Sequence, residues 1–563
     1  MMSNMKPHKR IILSLLAVAI AAAPAVPAQE PAPAGARAAT AAQPAPPVTC
    51  HNGTFTGITE PNGVYAYLGI PFAKAPVGDL RWKAPVDAAE AEGQFKADKF
   101  GPRSLQVEVP GDDDINPNPV SEDCLYLNVW TADPNIQGKA VMFYVHGGAY
   151  GWESTSDELY TLRYLAKENP DIVFVSAEYR LNAMGFIDLS RVPDGKRYKA
   201  ADFKGSTQLG ILDLVSALRW VNRNIGAFGG DKGNVTVFGE SAGGGSTSVL
   251  MLAKEAKGLF QRAIPMSGAA NLTIDKAKYE SIDQAGAIME ATGCKNLDDL
   301  MALTDKQILE AYAQDTERTG VEGVGGVDKL QGMPMRGEGG IVPADPMKAM
   351  AEGAGAEIDM LIGTTADEWR YWVPLMGQAS DEENLALFAG FMKGIAGLDA
   401  LRDTTKCLSA VQADEDEWSA KFPDLWKLTE VNNEKTFRMP SIKQAEAHVK
   451  SGGTGRTYMY YFAKRSTQKP WIGACHSVEL PYVFLNPDTP TISGKPDMAL
   501  ARKVARIWTN FARTGNPSIE GVAWPEYDLI NRATVVIGDD SCIKVVNDPK
   551  AEQRKVIQEQ MPE

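Results

Sequence analysis

The stretch Gly239-Glu240-Ser241-Ala242-Gly243 constrains this chain more than any other. It has the form G-x-S-x-G. It stands between an apolar run at residues 235–238 (VTVF) and a helical stretch that opens at Ala242. A serine held at a sharp strand-to-helix turn takes strained backbone angles, and the residues two positions away on either side crowd together. Glycine at both places removes the Cβ atoms that would collide. Such a turn lifts the hydroxyl above the end of a sheet, with a helix N-terminus behind it that favours developing negative charge. The pattern predicts a nucleophilic serine on an α/β scaffold.

The surrounding sequence supplies that scaffold. Residues 141–145 (VMFYV), 172–176 (IVFVS) and 360–363 (MLIG) are short, apolar and rich in β-branched or aromatic residues, as buried strands are. Between them, residues 209–228 place Leu212, Val215, Leu218, Trp220, Val221 and Ile225 mainly on one side of a helix, and residues 242–254 form a second. Buried strands separated by helices imply a mostly parallel central sheet covered on both faces. The glycine-rich segment 317–341 reads as a long loop or insertion. Near the end, residues 497–514 form a helix with Val504, Trp508 and Phe511 on one face, stopped by Gly515 and Pro517. A chain of 563 residues has room for several domains or for one α/β unit with large insertions.

The first residues carry an address rather than fold. Lys6, Lys9 and Arg10 precede an apolar run at 11–23 that is too short for a comfortable membrane span, and Val26-Pro27-Ala28 fits a cleavage site. We expect a signal peptide over 1–28, an Ala/Pro-rich disordered spacer over 29–48, and one domain over 49–563. Export to the periplasm or the exterior follows, with no integral membrane segment once the signal is removed. The net charge of −14 repels phosphate backbones, which argues against a nucleic-acid partner. Six cysteines show no C-x-x-C metal spacing, and export permits disulfides whose pairing the spacing does not determine.

The remaining parts of a catalytic site can be sought around Ser241. His146-Gly147-Gly148-Ala149 follows the 141–145 strand. Paired glycines there let backbone N–H groups point at one spot, which with the N–H of Ala242 would make an oxyanion hole. His146 reads as a structural member of this loop. Of the five histidines, His8 lies in the signal peptide, His51 at the start of the fold, and His448 in an exposed-looking helix at 442–450. Elimination leaves His476, in a late loop, as the general base. Elbows of this kind carry their partners in the order Ser, acid, His. The acid therefore follows the 360–363 strand, where position alone leaves Asp367 and Glu368 both open.

Several stretches in order resemble the type-B carboxylesterase family, which includes cholinesterase-like enzymes. They are Gly69-Ile70-Pro71-Phe72-Ala73 with Leu80-Arg81-Trp82; Ser121-Glu122-Asp123-Cys124-Leu125; His146-Gly147-Gly148; Ala227-Phe228-Gly229-Gly230-Asp231; Gly239 to Gly243; and Met266-Ser267-Gly268. With the Asp367-Glu368 and His476 loops, they span about residues 53 to 545. The resemblance implies an α/β-hydrolase fold with large insertions and hydrolysis of small-molecule esters through an acyl-enzyme. It implies a triad of Ser241, Glu368 and His476, and an oxyanion hole of Gly147, Gly148 and Ala242. It also implies ion pairs of Arg81 with Glu122 and of Arg180 with Asp213. No metal or organic cofactor is required. A cleft formed by insertions near 100–120, 317–345 and 369–400 is expected, with Trp369, Tyr371 and Trp372 as candidates to line it. Three positions depart from the family pattern. Ser104 stands where a cysteine partner for Cys124 is usual, Trp369 replaces a glycine, and Gln208 replaces an asparagine. Two rival readings are a catalytically silent binding module, whose mark would be a broken triad, and acyl transfer on amides, carbamates or thioesters.

Overall fold

The computed structural model describes residues 43–107, 116, 118–319, 332–337, 341–372, 401–411, 417–488 and 494–561. The expected signal peptide, most of the expected spacer, and most of the expected insertions at 317–345 and 369–400 lie outside them.

Fourteen strands follow one another in this part of the chain. They are β1 (Val48–Cys50), β2 (Gly53–Thr56), β3 (Ile58–Thr59), β4 (Tyr65–Pro71), β5 (Gln94–Lys96), β6 (Tyr126–Thr131) and β7 (Lys139–Val145). Then come β8 (Ile172–Ala177), β9 (Gly230–Glu240), β10 (Arg262–Met266), β11 (Asp359–Thr365), β12 (Thr457–Phe462), β13 (Ala533–Ile537) and β14 (Ile543–Asn547). Eleven of them form one sheet in the order β14-β13-β12-β11-β10-β9-β7-β8-β6-β4-β3. The run from β13 to β8 is parallel, and the strands at both margins are antiparallel. β1, β2 and β5 make a small separate sheet.

The period-2 rule explains how the central strands serve two cores. Val141, Phe143 and Val145 of β7 pack into one core with the Leu209–Asn224, Ala242–Leu252 and Met439–Lys450 helices. Ala140, Met142 and Tyr144 face the other core, with Val504, Trp508 and Phe511 of the Met498–Thr514 helix. Each large side chain so buried contributes about 1.5–3 kcal/mol. Asp497 caps that last helix at the N–H groups of Ala499 and Leu500, and Gly515 ends it in the left-handed region at φ 70°. The helix that starts at Leu209 gives way to a tighter turn, Ile225–Phe228, rather than running on to Phe228 as expected.

Two expectations need correction. The fold begins before residue 49: Gln43 O accepts from Thr59 N at 2.7 Å, Ala45 N donates to Gly57 O at 3.0 Å, and Ala45 is buried. Backbone pairing along β3 orders the end of the Ala/Pro-rich stretch despite its composition. His448 is buried, because its face of the Met439–Lys450 helix packs against the sheet; its ring meets Thr457 Oγ1 at 2.7 Å.

The two implied ion pairs form and are buried. Arg81 Nε donates to Glu122 Oε2 at 2.8 Å, and Arg180 grips Asp213 through Nε and Nη2 at 2.8 and 2.7 Å. All six cysteines are free thiols. Ser104 answers for the absent cysteine with another bond, its Oγ accepting from Leu181 N at 3.0 Å.

Candidate active site

Ser241 sits between β9 and the Ala242–Leu252 helix with φ 58° and ψ −121°. A non-glycine residue there costs on the order of 1–3 kcal/mol and persists only where its surroundings enforce it. The enforcement is visible. Ser241 N donates to Met266 O at 2.9 Å, and Gly245 N to Ser241 O at 2.9 Å. A Cβ on Gly239 would come within 2.6 Å of Gly243 C, and one on Gly243 within 2.7 Å of His146 O. A Cβ on Gly268 would strike Ser241 O. The elbow is thus packed against the His146 loop, and both glycines of the motif are required by space.

That loop leaves β7 directly. His146 is fully buried, its ring lies 4.5 Å from the Tyr179 ring, and burial pushes it down to about 3, so it stays neutral. Its Nε2 faces Glu178 Oε2 at 3.7 Å. Burial pushes the Glu178 carboxyl up to about 7. This environment suits the structural part foreseen for His146. Gly148 turns with φ 79°. Among the described residues, the N–H groups of Gly147, Gly148 and Ala242 meet no backbone acceptor. They remain available to a ligand.

β11 delivers the acid loop. Glu368 is fully buried at the start of the Glu368–Tyr371 turn. Its Oε1 accepts from Thr365 N at 2.9 Å and from Ser267 Oγ at 2.7 Å. Its Oε2 lies 2.5 Å from His476 Nδ1, and His476 N donates to Glu368 O at 3.2 Å. Asp367 turns elsewhere: its Oδ2 accepts from Ala474 N at 2.7 Å. Of the two carboxylates that position left open, Glu368 is the one facing the imidazole. Ser267 was not foreseen as part of this site. It appears in the sequence only within Met266-Ser267-Gly268, with no hint that a distant glutamate would need its hydroxyl.

His476 lies among aromatic rings. Trp372 stacks on it with centroids 5.2 Å apart, Phe437 lies at 5.0 Å, and Tyr371 meets it edge-on at 6.2 Å. Trp369 is buried behind them, its backbone N–H bonded to Asn433 Oδ1 at 2.7 Å. Tyr371 and Trp372 therefore border the site, whereas Trp369 belongs to its packing. Among the described residues, His476 Nε2 makes no hydrogen bond, and it faces Glu240 Oε1 at 3.2 Å. Glu240 immediately precedes Ser241, so this nitrogen already stands at the elbow. Catalytic hydrogen bonds are often loose before a substrate is bound.

The site is rich in buried carboxyl groups. Burial, then Glu479, Glu153 and Glu368, hold the Glu240 carboxyl well above its usual range. Burial, then Glu368, push Glu479 up to about 8. Among the described residues, no group of three or more His, Cys, Asp or Glu is arranged to hold a metal ion. Nor is any helix long and apolar enough to cross a membrane.

Comparison with known proteins gives a consistent picture. The model of the carboxylesterase family matches residues 44–557. The chain is 33% identical over 525 residues to the para-nitrobenzyl esterase of Bacillus subtilis (strain 168), covering 90% of this chain and 97% of that one. It is 29% identical over 505 residues to the acetylcholinesterase of Bungarus fasciatus, covering 85% and 80%. Among solved structures, carboxylesterase EST55 of Geobacillus stearothermophilus is similar with a TM-score of 0.76 at 29% identity, over 91% of this chain and 100% of that one.

Proposed function

The chain belongs to the carboxylesterase family and is a carboxylic ester hydrolase, and from that premise we propose that Ser241 is its nucleophile, His476 its general base and acid, and Glu368 the carboxylate that orients His476. The observation that carries this assignment is the buried 2.5 Å contact of His476 Nδ1 with Glu368 Oε2 beside a strained Ser241. With Nδ1 bound to a carboxylate, the lone pair resides on Nε2. In the reaction Nε2 leaves Glu240 and turns to Ser241 Oγ.

The reaction then runs in two steps. Ser241 Oγ attacks the ester carbonyl while Nε2 takes its proton. The N–H groups of Gly147, Gly148 and Ala242 receive the oxyanion, each donor being worth about 3–4 kcal/mol in the transition state. His476 returns the proton to the departing alkoxide, leaving an acyl-serine. Water, deprotonated by His476, releases the acid. No step needs a metal or an organic cofactor.

Similarity to a para-nitrobenzyl esterase supports small aromatic esters as first substrates. An assay of p-nitrophenyl acetate and butyrate beside the matching p-nitroanilides tests the reaction class. Rapid ester turnover with much slower amide turnover is the expected result. Equal or faster amide cleavage would overturn the assignment to esters, and a pure, folded protein inactive on both would favour a binding module.

We also propose that the protein is exported. Lys6, Lys9 and Arg10, the apolar run at 11–23 and Val26-Pro27-Ala28 support this. N-terminal sequencing of the mature protein should begin at Gln29; a cell-retained chain starting at Met1 or Met2 would contradict it.

A further inference from the structure

The carboxyl groups around His476 outnumber those the reaction uses, and two of them border the same glycine. Glu153 follows the oxyanion loop at φ 67°. Its Oε2 accepts the O–H of buried Tyr160. A Cβ placed on Gly147 would lie 3.3 Å from Glu153 Oε2 and 3.3 Å from Glu240 Oε2. One carboxyl oxygen of each residue thus borders the Cα of the same glycine, close enough for the charge of Glu153 to raise Glu240. The other oxygen of Glu240, Oε1, accepts from Ser477 Oγ at 3.0 Å and faces His476 Nε2 at 3.2 Å. A continuous series results: Tyr160, Glu153, Glu240, His476, Glu368.

The charge state of Glu240 decides what His476 can do. An ionised Glu240 would hold Nε2 as an N–H donor, and an imidazolium clamped between Glu240 and Glu368 has no lone pair for Ser241. A protonated Glu240 has no such hold. Glu240 is buried and Glu153 beside it only partly so, and two neighbouring carboxyls in such a place do not both ionise readily. Glu153 has the Tyr160 hydroxyl to stabilise its charge, which leaves the proton to Glu240. The other titratable groups around Glu240 are Tyr144 from β7, Tyr460 from β12, Tyr371 and Glu368 from the acid loop, and Glu479 beyond His476. Burial holds Tyr144 and Tyr460 neutral, and the charge of Glu368 adds to the pressure that keeps a proton on Glu240.

We propose that Glu153 is a positioning residue of this esterase that acts through Glu240: its carboxylate keeps Glu240 protonated, and neutral Glu240 leaves the lone pair of His476 Nε2 to Ser241. The proposal rests on the assignment of His476 as the base.

The pH profile of kcat/KM on a p-nitrophenyl ester tests it. In Glu153→Gln the like charge is gone, Glu240 ionises at lower pH, and the imidazolium is stabilised. The acid limb of the profile should move up by about one pH unit, roughly a tenfold loss at a fixed pH on that limb, with little change on the alkaline plateau. Glu153→Gly suits the left-handed backbone and should give the same shift, which separates charge from folding. In a Glu240→Gln background, Glu153→Gln should move the limb no further. A loss of equal size at every pH, a downward shift, or a shift that persists without Glu240 would overturn the proposal. Failure of the underlying assignment is a distinct result: His476→Ala would then retain parental activity.

Discussion

Replacing Ser241 by alanine is expected to lower kcat/KM on a p-nitrophenyl ester by at least about 10⁴-fold, because the covalent path disappears and only substrate binding and oxyanion stabilisation remain. The fold should be indifferent to the change. The bonds that hold the elbow come from the backbone, Ser241 N to Met266 O and Gly245 N to Ser241 O, and alanine keeps both. A thermal melt unchanged within a few degrees, with activity gone, is the expected pair of results. Activity within tenfold of the parent would remove Ser241 from the mechanism.

The next largest effect distinguishes two neighbouring carboxylates. Glu368→Ala should reduce kcat by about 10³–10⁴-fold, since the imidazole loses both the partner that sets its tautomer and the charge that stabilises its protonated form. It also strands two donors, Ser267 Oγ and Thr365 N, in a dry interior. Asp367→Ala loses the bond to Ala474 N, worth about 1–3 kcal/mol of stability to a buried donor, and the 3.7 Å ion pair with Arg370, neither of which touches the imidazole. Its kcat should stay within about tenfold of the parent. Steady-state kinetics on both variants, with melts to confirm folding, checks the order. Comparable losses, or a greater loss at Asp367, would contradict the assignment of the acid.

What could be read in the sequence was what is encoded locally. The elbow announces itself because its steric demands fall on five consecutive residues, and the central strands because both faces are apolar. β10 and β12 gave weaker signals. The first carries Pro265 and begins at Arg262, and the second is dominated by tyrosine. The order of the three catalytic candidates could be read, but the choice of Glu368 over Asp367 came from the family resemblance alone, since a shift of one residue within a loop leaves no periodic trace. His448 was misjudged because helix polarity hid the pocket formed by Thr457 and Gly355, which come from other parts of the chain. Ser267, Glu240 and Glu153 escaped for a related reason: each matters through a partner far away in sequence, and only the folded sheet brings them together.

The central claim is that one serine is made nucleophilic by one histidine, and covalent trapping tests it most directly. After brief exposure of the protein to a fluorophosphonate, peptide mass spectrometry should find a single adduct, on the peptide that contains Ser241. Labelling should vanish in Ser241→Ala and slow severely in His476→Ala. An adduct on another residue, or labelling of Ser241→Ala at the parental rate, would contradict the account.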